Sequence, residues 1–429
     1  MINKIKTVFK DKDKKVLLEN FLSLSTLQAL NYILPLITLP YLIKVLGADK
    51  YGLIAFAQAF VGYFGLLIGY GFGLSATKDV SKYRNNIRKL SEIFSSVILI
   101  QISIFIFCLF IFTIIVFSFE KFREEWSFFY LVYFTLLGGI IFPSWIFQGL
   151  EKMKYITVIN TLTRVLFTVL IFIVIKEQSD YYWVPLLNLF GGMIGGLWAL
   201  WLIFNNFNIK FLLPSIQRII YDLKEGWYIF ISTVAYNIYN ISPTFFIGIF
   251  IDNTAVAIYS LAEKIVNILR YFLVNIFMVF YPNLSNKVKN DFRTYSKMWK
   301  NLFKIAIPVS IILWILTLFF PKPIFLFFFS EEFLYSLFLL KILGFSLILQ
   351  SLMNLFGMQS MLLLGYTKAY GVSYVVVTLI YILILPIILF FTKNLIYVVI
   401  LILTTELIVI LYRILYLQKK GVFIELFKG

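Results

Sequence analysis

Charged and amide side chains recur at helical spacing inside one apolar stretch, YSLAEKIVNILRYFLVN. Four of its polar residues share one face of a helix, namely Tyr259, Glu263, Asn267 and Arg270. Glu263 and Arg270 lie two turns apart, roughly 10 Å along the axis, so each needs another partner or water. Lys264 points about 100° away from Glu263 around the same helix. We interpret this stripe as a functional surface; a self-neutralising ion pair that locks the helix bundle is the alternative.

Two further apolar stretches carry isolated charges. Arg164 lies near the middle of its stretch, where a charge in a bilayer costs at least about 2.5 kcal/mol. We therefore expect Arg164 to face a water-filled lumen, with structural bonding to neighbouring carbonyls as the alternative. Glu406 is also mid-stretch and is a candidate titratable group, unless it pairs with Arg413 two turns further on.

Two prolines interrupt the apolar segment LPLITLPYLIKVLG near the N-terminus. Pro35 and Pro40 each remove a backbone donor and free the carbonyl four residues earlier. Gln28 and Asn31 lie on the helical face of Pro35, so a polar stripe and unpaired carbonyls point in one direction. In a membrane such a face must meet protein or a wet cavity. The pattern predicts a hinge at the two prolines, with a static packing kink as the alternative.

The composition identifies the environment in which these residues work. Of the 429 residues 61% are hydrophobic and only 14% are charged, with a mean hydropathy of +0.91. Soluble domains are about half apolar and a quarter charged, so we expect an integral membrane protein. The chain has no histidine and a single cysteine, which argues against histidine proton relays, disulfides and cysteine metal sites. We expect no metal and no organic cofactor.

Apolar runs of about 20 residues recur along the whole chain and predict an all-α architecture of about twelve transmembrane helices. The expected spans are 17–44, 51–77, 91–118, 127–149, 155–175, 183–204, 226–251, 255–281, 298–320, 333–364, 371–392 and 395–417. They divide the chain into a cytoplasmic basic arm (1–16), an N-terminal six-helix lobe (17–204), a cytoplasmic interfacial linker (205–225), a C-terminal six-helix lobe (226–417) and a cytoplasmic tail (418–429).

The distribution of positive charge predicts the orientation. Lysine and arginine are concentrated in the N-terminal arm, in 78–89, in 287–304 and at the C-terminus. All these segments lie on one side of the predicted topology, and cytoplasmic loops carry such an excess. Both termini are therefore expected in the cytoplasm. The formal net charge of +17 follows from this distribution, so we do not expect nucleic acid as a partner.

Several of these segments also carry a family resemblance. LPLITLPYLIKVLGADKYG (34–52) followed by GYGFGLSATKDVSKYR (69–84), and later GIFIDNTAVAIYSLAEKI (248–265) followed by YPNLS (281–285), resemble the Wzx-type flippases of O-antigen and other polysaccharide repeat units. These flippases belong to the multidrug/oligosaccharidyl-lipid/polysaccharide (MOP) exporter superfamily. The resemblance extends over essentially the whole chain, including the number of spans.

The resemblance implies a V-shaped pair of lobes that flips an undecaprenyl-diphosphate-linked oligosaccharide to the outer leaflet of a bacterial inner membrane by alternating access. The implied partners are this lipid-linked oligosaccharide, membrane lipid, a polysaccharide polymerase and a chain-length regulator. Coupling to H⁺ or Na⁺ is also implied. The residues expected to line a cationic lumen are Arg164, Lys264, Asn267, Arg270, Gln28 and Asn31. The candidates for binding the coupling ion are Glu263, Asp252 and Glu406.

Two other functions compete with this interpretation. A MATE-like multidrug antiporter would transport organic cations and would need a lumen of acidic character, whereas the charges within the spans are mainly basic. A membrane-embedded polysaccharide polymerase would typically present a large outer loop or catalytic histidines. The predicted outer loops are about ten residues or shorter, and we therefore expect a transporter rather than an enzyme.

Overall fold

A computed structural model describes the backbone of residues 12–428. Side chains are described at positions 30, 34, 35 and 37–427, apart from 232, 236 and 289. The predicted polar stripe at Gln28 and Asn31 and most of the basic arm 1–16 therefore lie outside the described residues. Within residues 12–428 the chain is almost entirely helical and contains no strand, as the all-α prediction requires.

The helices of the first half are long spans joined by short turns. In chain order they are α1 (Lys12–Gly69), α2 (Phe72–Lys82), α3 (Ile87–Ser118), α4 (Glu120–Arg123), α5 (Trp126–Phe134), α6 (Leu136–Ile141), α7 (Ser144–Gly149), α8 (Met153–Val174) and α9 (Trp183–Asn205). A 3₁₀ turn, Gln178–Tyr182, precedes α9.

The second half follows the same plan. Its helices are α10 (Ile216–Phe250), α11 (Asn253–Asn290), α12 (Phe292–Leu318), α13 (Lys322–Phe328), α14 (Leu334–Leu343), α15 (Ser346–Phe356), α16 (Thr367–Thr392), α17 (Leu395–Lys419) and α18 (Val422–Lys428). A 3₁₀ turn, Glu331–Phe333, precedes α14, and a π turn, Gly357–Leu362, follows α15.

Ten helices in the described part of the chain are long and apolar enough to cross a membrane, so this is a multi-pass membrane protein. The expected spans 17–44 and 51–77 both lie on α1, which is kinked at Gly47 between them, and the second continues into α2. The expected span 226–251 lies on α10, which is not among the ten. The total of twelve spans and the cytoplasmic termini remain predictions.

Contacts divide the chain into two units. The first consists of the residues up to Gly47 and Ala57–Val234, and the second consists of Ala48–Phe56 and Ala235–Gly429. The chain therefore enters the second unit briefly, within α1, before it returns to the first. Gly47, with φ 71° and ψ 174°, breaks the helix where this excursion begins.

Each unit has its own apolar core. In the first unit Phe94, Phe147 and Ile203 are among the fully buried residues where α3, α7 and α9 meet. In the second unit Trp299 and Phe356 belong to a cluster that joins α11, α12, α15, α17 and α18. Large apolar side chains also cover the outside of the spans, as expected for helices that face lipid tails.

The segment between the two halves is tied to the first unit. The backbone N–H groups of Lys210 and Leu212 donate to Ser91 Oγ and Ser95 Oγ, at 2.9 and 2.8 Å. Arg218, on the first turn of α10, donates to the carboxylates of Asp79 and Asp222, both of which are buried. The expected linker 205–225 is therefore an extended segment followed by the start of a helix.

The C-terminal residues are also structured. Helix α18 places Leu426 in the core of the second unit, and Ser296 Oγ donates to the carbonyls of Glu425 and Leu426 at 2.7 and 3.0 Å. Trp299 packs edge-on against Phe427. The end of the chain thus contributes to the fold of the second unit.

Candidate functional site

Arg270 lies at the centre of a polar network within the second unit. Its guanidinium Nη1 donates to Asn267 Oδ1 at 3.2 Å, and Nη2 donates to Ser346 Oγ at 2.9 Å. The same Nη2 lies 3.5 Å from Glu406 Oε1, which makes an ion pair between α11 and α17. Helical spacing places Asn267 one turn before Arg270, where a short amide can hold one edge of the guanidinium.

Glu406 completes this network from α17. Its side chain is 1% exposed, and its Oε1 also accepts from Gln350 Nε2 at 2.7 Å. Glu406 Oε2 and Arg270 Nε are both buried and have no hydrogen-bond partner among the described side chains. A buried carboxylate oxygen without a partner is costly unless a proton, a cation or water reaches it. Both the carboxylate of Glu406 and the guanidinium of Arg270 therefore keep one buried polar atom without a hydrogen bond among the described side chains.

Two small cavities open onto these groups. One, of about 30 Å³, is bordered by Arg270 and Glu406 and by polar residues of four helices, namely Tyr239, Asn240, Gln350, Tyr374, Thr378 and Thr405. The other, of about 10 Å³, is bordered by Arg270 and by Glu263. A cavity needs about 10–15 Å³ for one water, so in this conformation these cavities have room for water or a small cation and are too small for a sugar.

Glu263 lies close to this network without entering it. Tyr259 donates to Glu263 Oε1 at 3.4 Å, one turn apart on α11. As the spacing predicted, no direct contact between Glu263 and Arg270 is among those of the described residues. The site therefore has two carboxylates, Glu263 and Glu406, each of which borders a cavity together with Arg270.

Lys264 and Asp252, two further predicted site residues, have local partners. Lys264 Nζ donates to Tyr51 Oη at 2.6 Å, within the second unit. Asp252 is exposed and caps α11, since its Oδ1 accepts from the N–H of Ala255 at 2.7 Å. Capping accounts for an acid at this position without an ion. Ion binding by Asp252 remains a prediction.

The alternative interpretation of Glu406, pairing with Arg413, is wrong. Arg413 is fully buried and donates to the carbonyl of Met353 at 2.6 Å and to Ser373 Oγ at 3.2 Å. The rings of Tyr370 and Tyr374 lie 4.7 and 4.5 Å from its guanidinium carbon. Carbonyl, hydroxyl and aromatic faces thus satisfy this charge, and Glu406 turns instead toward Arg270.

The remaining predicted site residues lie in the first unit. Arg164 is exposed on α8, between the exposed side chains of Leu162 and Leu166. Pro35 and Pro40 both lie inside α1, and the non-helical break of that helix comes later, at Gly47. A lumen role for Arg164 and a hinge at the prolines remain predictions.

Sequence reasoning missed three partners of the network. Ser346 and Gln350 contact Arg270 and Glu406 from α15, and Tyr239 borders the cavities from α10. Ser346 and Gln350 lie one turn apart on α15, and this polar spacing within an apolar helix is the signal that could have drawn attention to them. Spacing along one helix cannot show which faces of different helices meet, so this grouping required the structure.

Known proteins resemble this chain along most of its length. A family model described as "Polysaccharide biosynthesis protein" matches residues 17–288. A putative O-antigen transporter of Escherichia coli (strain K12) is 30% identical over 64% of this chain and 66% of its own length, just under two thirds of that relative. A putative O-antigen transporter of Shigella dysenteriae is 25% identical over 75% of this chain and 82% of its own length.

Solved structures identify the fold. An inward-facing multidrug resistance MATE family transporter of the MOP superfamily superimposes with a TM-score of 0.74 over 92% of this chain and 96% of that one, at 14% identity. The lipid II flippase MurJ, in an inward closed conformation, gives a TM-score of 0.69 over 94% of this chain and 89% of that one, at 19% identity. The chain therefore has the fold of MOP transporters.

Proposed function

Because the chain belongs to the polysaccharide biosynthesis protein family, we propose that it flips lipid-linked oligosaccharide units across a membrane. The substrate class is an oligosaccharide on undecaprenyl diphosphate, moved from the cytoplasmic to the outer leaflet of a bacterial inner membrane. The names of the two O-antigen transporters support transport over polymerisation. A polymerase and a chain-length regulator would then act on the flipped unit.

The observation that carries this proposal is the partly satisfied guanidinium of Arg270. A diphosphate carries its charge into the membrane and needs a fixed cation on its route. An arginine presents a fork of donors that matches phosphate oxygens. Arg270 has this fork on a membrane-embedded helix, with an unpartnered Nε among the described contacts and a contact of 3.5 Å to its carboxylate.

We infer from the same contact, between Arg270 and Glu406, how transport is coupled to an ion. When Glu406 is ionised it competes with a phosphate for Arg270. When Glu406 takes up a proton or a cation, the guanidinium becomes available to the diphosphate. Binding of the coupling ion and of the substrate would then favour each other, as reciprocal linkage requires. Glu263, on the other side of Arg270, is the second candidate for this role.

The multidrug antiporter is the competing function. Its supporting observation is the MATE structure, whose likeness at 14% identity shows the fold alone. A drug cation would need an acidic site, whereas the carboxylate of Glu406 already faces Arg270. The network holds one guanidinium and two carboxylates, so the preference for an anionic substrate rests on the family match and on the two O-antigen transporter relatives.

Reconstitution tests the proposal. Proteoliposomes would contain a fluorescent saccharide on undecaprenyl diphosphate, and a membrane-impermeant reductant would quench the label in the outer leaflet. We expect the protein to expose the inner-leaflet label, and Arg270→Ala to abolish this exposure. As a control, efflux of an organic cation of the kind that multidrug antiporters carry would be measured in the same proteoliposomes under an imposed ion gradient. Efflux of that cation without movement of the lipid-linked saccharide would overturn the proposal.

A further inference from the structure

The excursion of α1 into the second unit forms a short strap, Ala48–Phe56. The chain on both sides of the strap, up to Gly47 and from Ala57 on, belongs to the first unit. Apolar side chains anchor the strap among the buried residues of the second unit, and Phe56 is completely buried. Gly47, with its positive φ of 71°, provides the backbone break before it.

Glycines make this docking very close. A Cβ at Gly52 would overlap the carbonyl of Asn253, at the start of α11. A Cβ at Gly248 would overlap the ring of Phe56, which also stacks on Phe245 with centroids 5.8 Å apart. Backbone therefore meets backbone at one point of the strap, and an aromatic ring meets backbone at the other.

Two polar contacts add to the packing of the strap. Lys264 Nζ donates to Tyr51 Oη at 2.6 Å and lies 4.9 Å from the centre of that ring. Asn253 Nδ2 donates to Asp49 Oδ1 at 3.3 Å. Lys264 is only partly buried, and no ion pair among the described residues includes it. The charge of Lys264 also interacts with the adjacent carboxylate of Glu263. Its hydrogen bond, however, goes to a neutral phenol, and an ammonium binds an anionic oxygen more strongly than a phenol.

We propose that Lys264 is an anion-responsive latch of the strap, and that the diphosphate of a lipid-linked substrate draws Lys264 from Tyr51 and releases Ala48–Phe56 from the second unit. The inference rests on the proposed function, because it takes the diphosphate as the ligand. A ligand shifts a conformational equilibrium only by its difference in affinity for the two states. Here that difference is the replacement of a phenol by a phosphate as the partner of Lys264.

Crosslinking tests the latch directly. Cys108 is the only native cysteine, so a Cys108→Ala background with Asp49→Cys and Asn253→Cys reports strap docking through a short thiol crosslinker. Undecaprenyl diphosphate is the probe, and undecaprenol is the neutral control. We expect the diphosphate to lower the crosslinking yield at least twofold and undecaprenol to leave it unchanged. In Lys264→Met the yield should no longer respond to the diphosphate.

Tyr51→Phe provides the matched variant, since it keeps the ring and removes only the acceptor. We expect a lower crosslinking yield without ligand, with unchanged elution of the purified protein. Native mass spectrometry of the same samples would measure binding of undecaprenyl diphosphate. Binding without a change in crosslinking, or an unchanged response in Lys264→Met, would overturn the latch and leave the proposed function standing. Absence of binding would contradict both.

Discussion

At the scale of single residues, the network depends on Arg270 being an arginine. Its two terminal nitrogens contact three partners, Asn267, Ser346 and Glu406, on three helices. A lysine keeps the charge but offers no planar fork, so it can replace only part of this pattern. The sequence identified Arg270, Asn267 and Glu406 as polar residues in apolar helices, but it could not show that they converge.

Arg270→Lys should therefore retain a small part of the flipping rate that Arg270→Ala loses entirely. Loss of one charge-assisted hydrogen bond of about 1.5–3 kcal/mol corresponds to about a ten- to hundredfold loss of affinity. The measurement is the initial rate of label exposure in proteoliposomes. Wild-type rates for Arg270→Lys would show that charge alone, without the geometry of the guanidinium, suffices.

Glu406→Gln should uncouple transport from the ion gradient. The glutamine keeps the shape and can still accept from Gln350, but it is always neutral. We expect substrate binding to persist while the response of the flipping rate to an imposed H⁺ or Na⁺ gradient disappears. Glu263→Gln is the matched control at the neighbouring cavity. If only the Glu263 variant loses the response, coupling belongs to Glu263.

At the scale of elements, periodicity predicted helices better than their interruptions. The expected spans 371–392 and 395–417 lie within α16 and α17. The expected span 127–149 is instead divided into three helices, with breaks near Thr135 and Phe142. Pro143 lies at the second break. Gly138, in the middle helix, packs against Gly192 so closely that a Cβ would not fit. Such close approaches depend on the neighbouring helix and are not encoded in local periodicity.

The start of α10 depends on one ion cluster in the same way. Arg218 joins Asp79 and Asp222, and the side chains are only 15%, 8% and 6% exposed. Burial raises the pKa of the Asp222 carboxyl, although the charge of Arg218 and its hydrogen bonds to Asp222 oppose this. Arg218 thus supplies the positive charge next to two neighbouring buried carboxyl groups.

Arg218→Met should destabilise the protein by about 3 kcal/mol, because it leaves buried carboxylates without their cation. Without the charge of Arg218, the pKa of the Asp222 carboxyl in the folded state would lie even further above its pKa in the unfolded state. Stability would then be lost as the pH rises through that folded pKa, so the defect should be larger at about pH 8 than at about pH 5. Thermal unfolding in detergent at both pH values measures this. An equal defect at both would exclude the carboxylates as its cause.

At the scale of the whole molecule, composition and the recurring apolar runs were enough to predict a multi-pass helical membrane protein, and the family resemblance added transport. The solved MOP transporters show the same fold, although their identity to this chain is below 20%. Fold alone does not distinguish a drug from a lipid-linked saccharide. That distinction rests on the family match and on the named relatives, with the guanidinium of Arg270 as the proposed phosphate ligand.

The most direct test of the central claim is made in cells of the native strain that lack this gene. Lipid-linked saccharide would be quantified by leaflet, with a membrane-impermeant label applied to intact cells and to inverted vesicles. We predict single repeat units confined to the cytoplasmic leaflet, released by the wild-type gene and not by Arg270→Ala expressed at an equal level. Single units that reach the outer leaflet unpolymerised without the gene would contradict the account and indicate a polymerase.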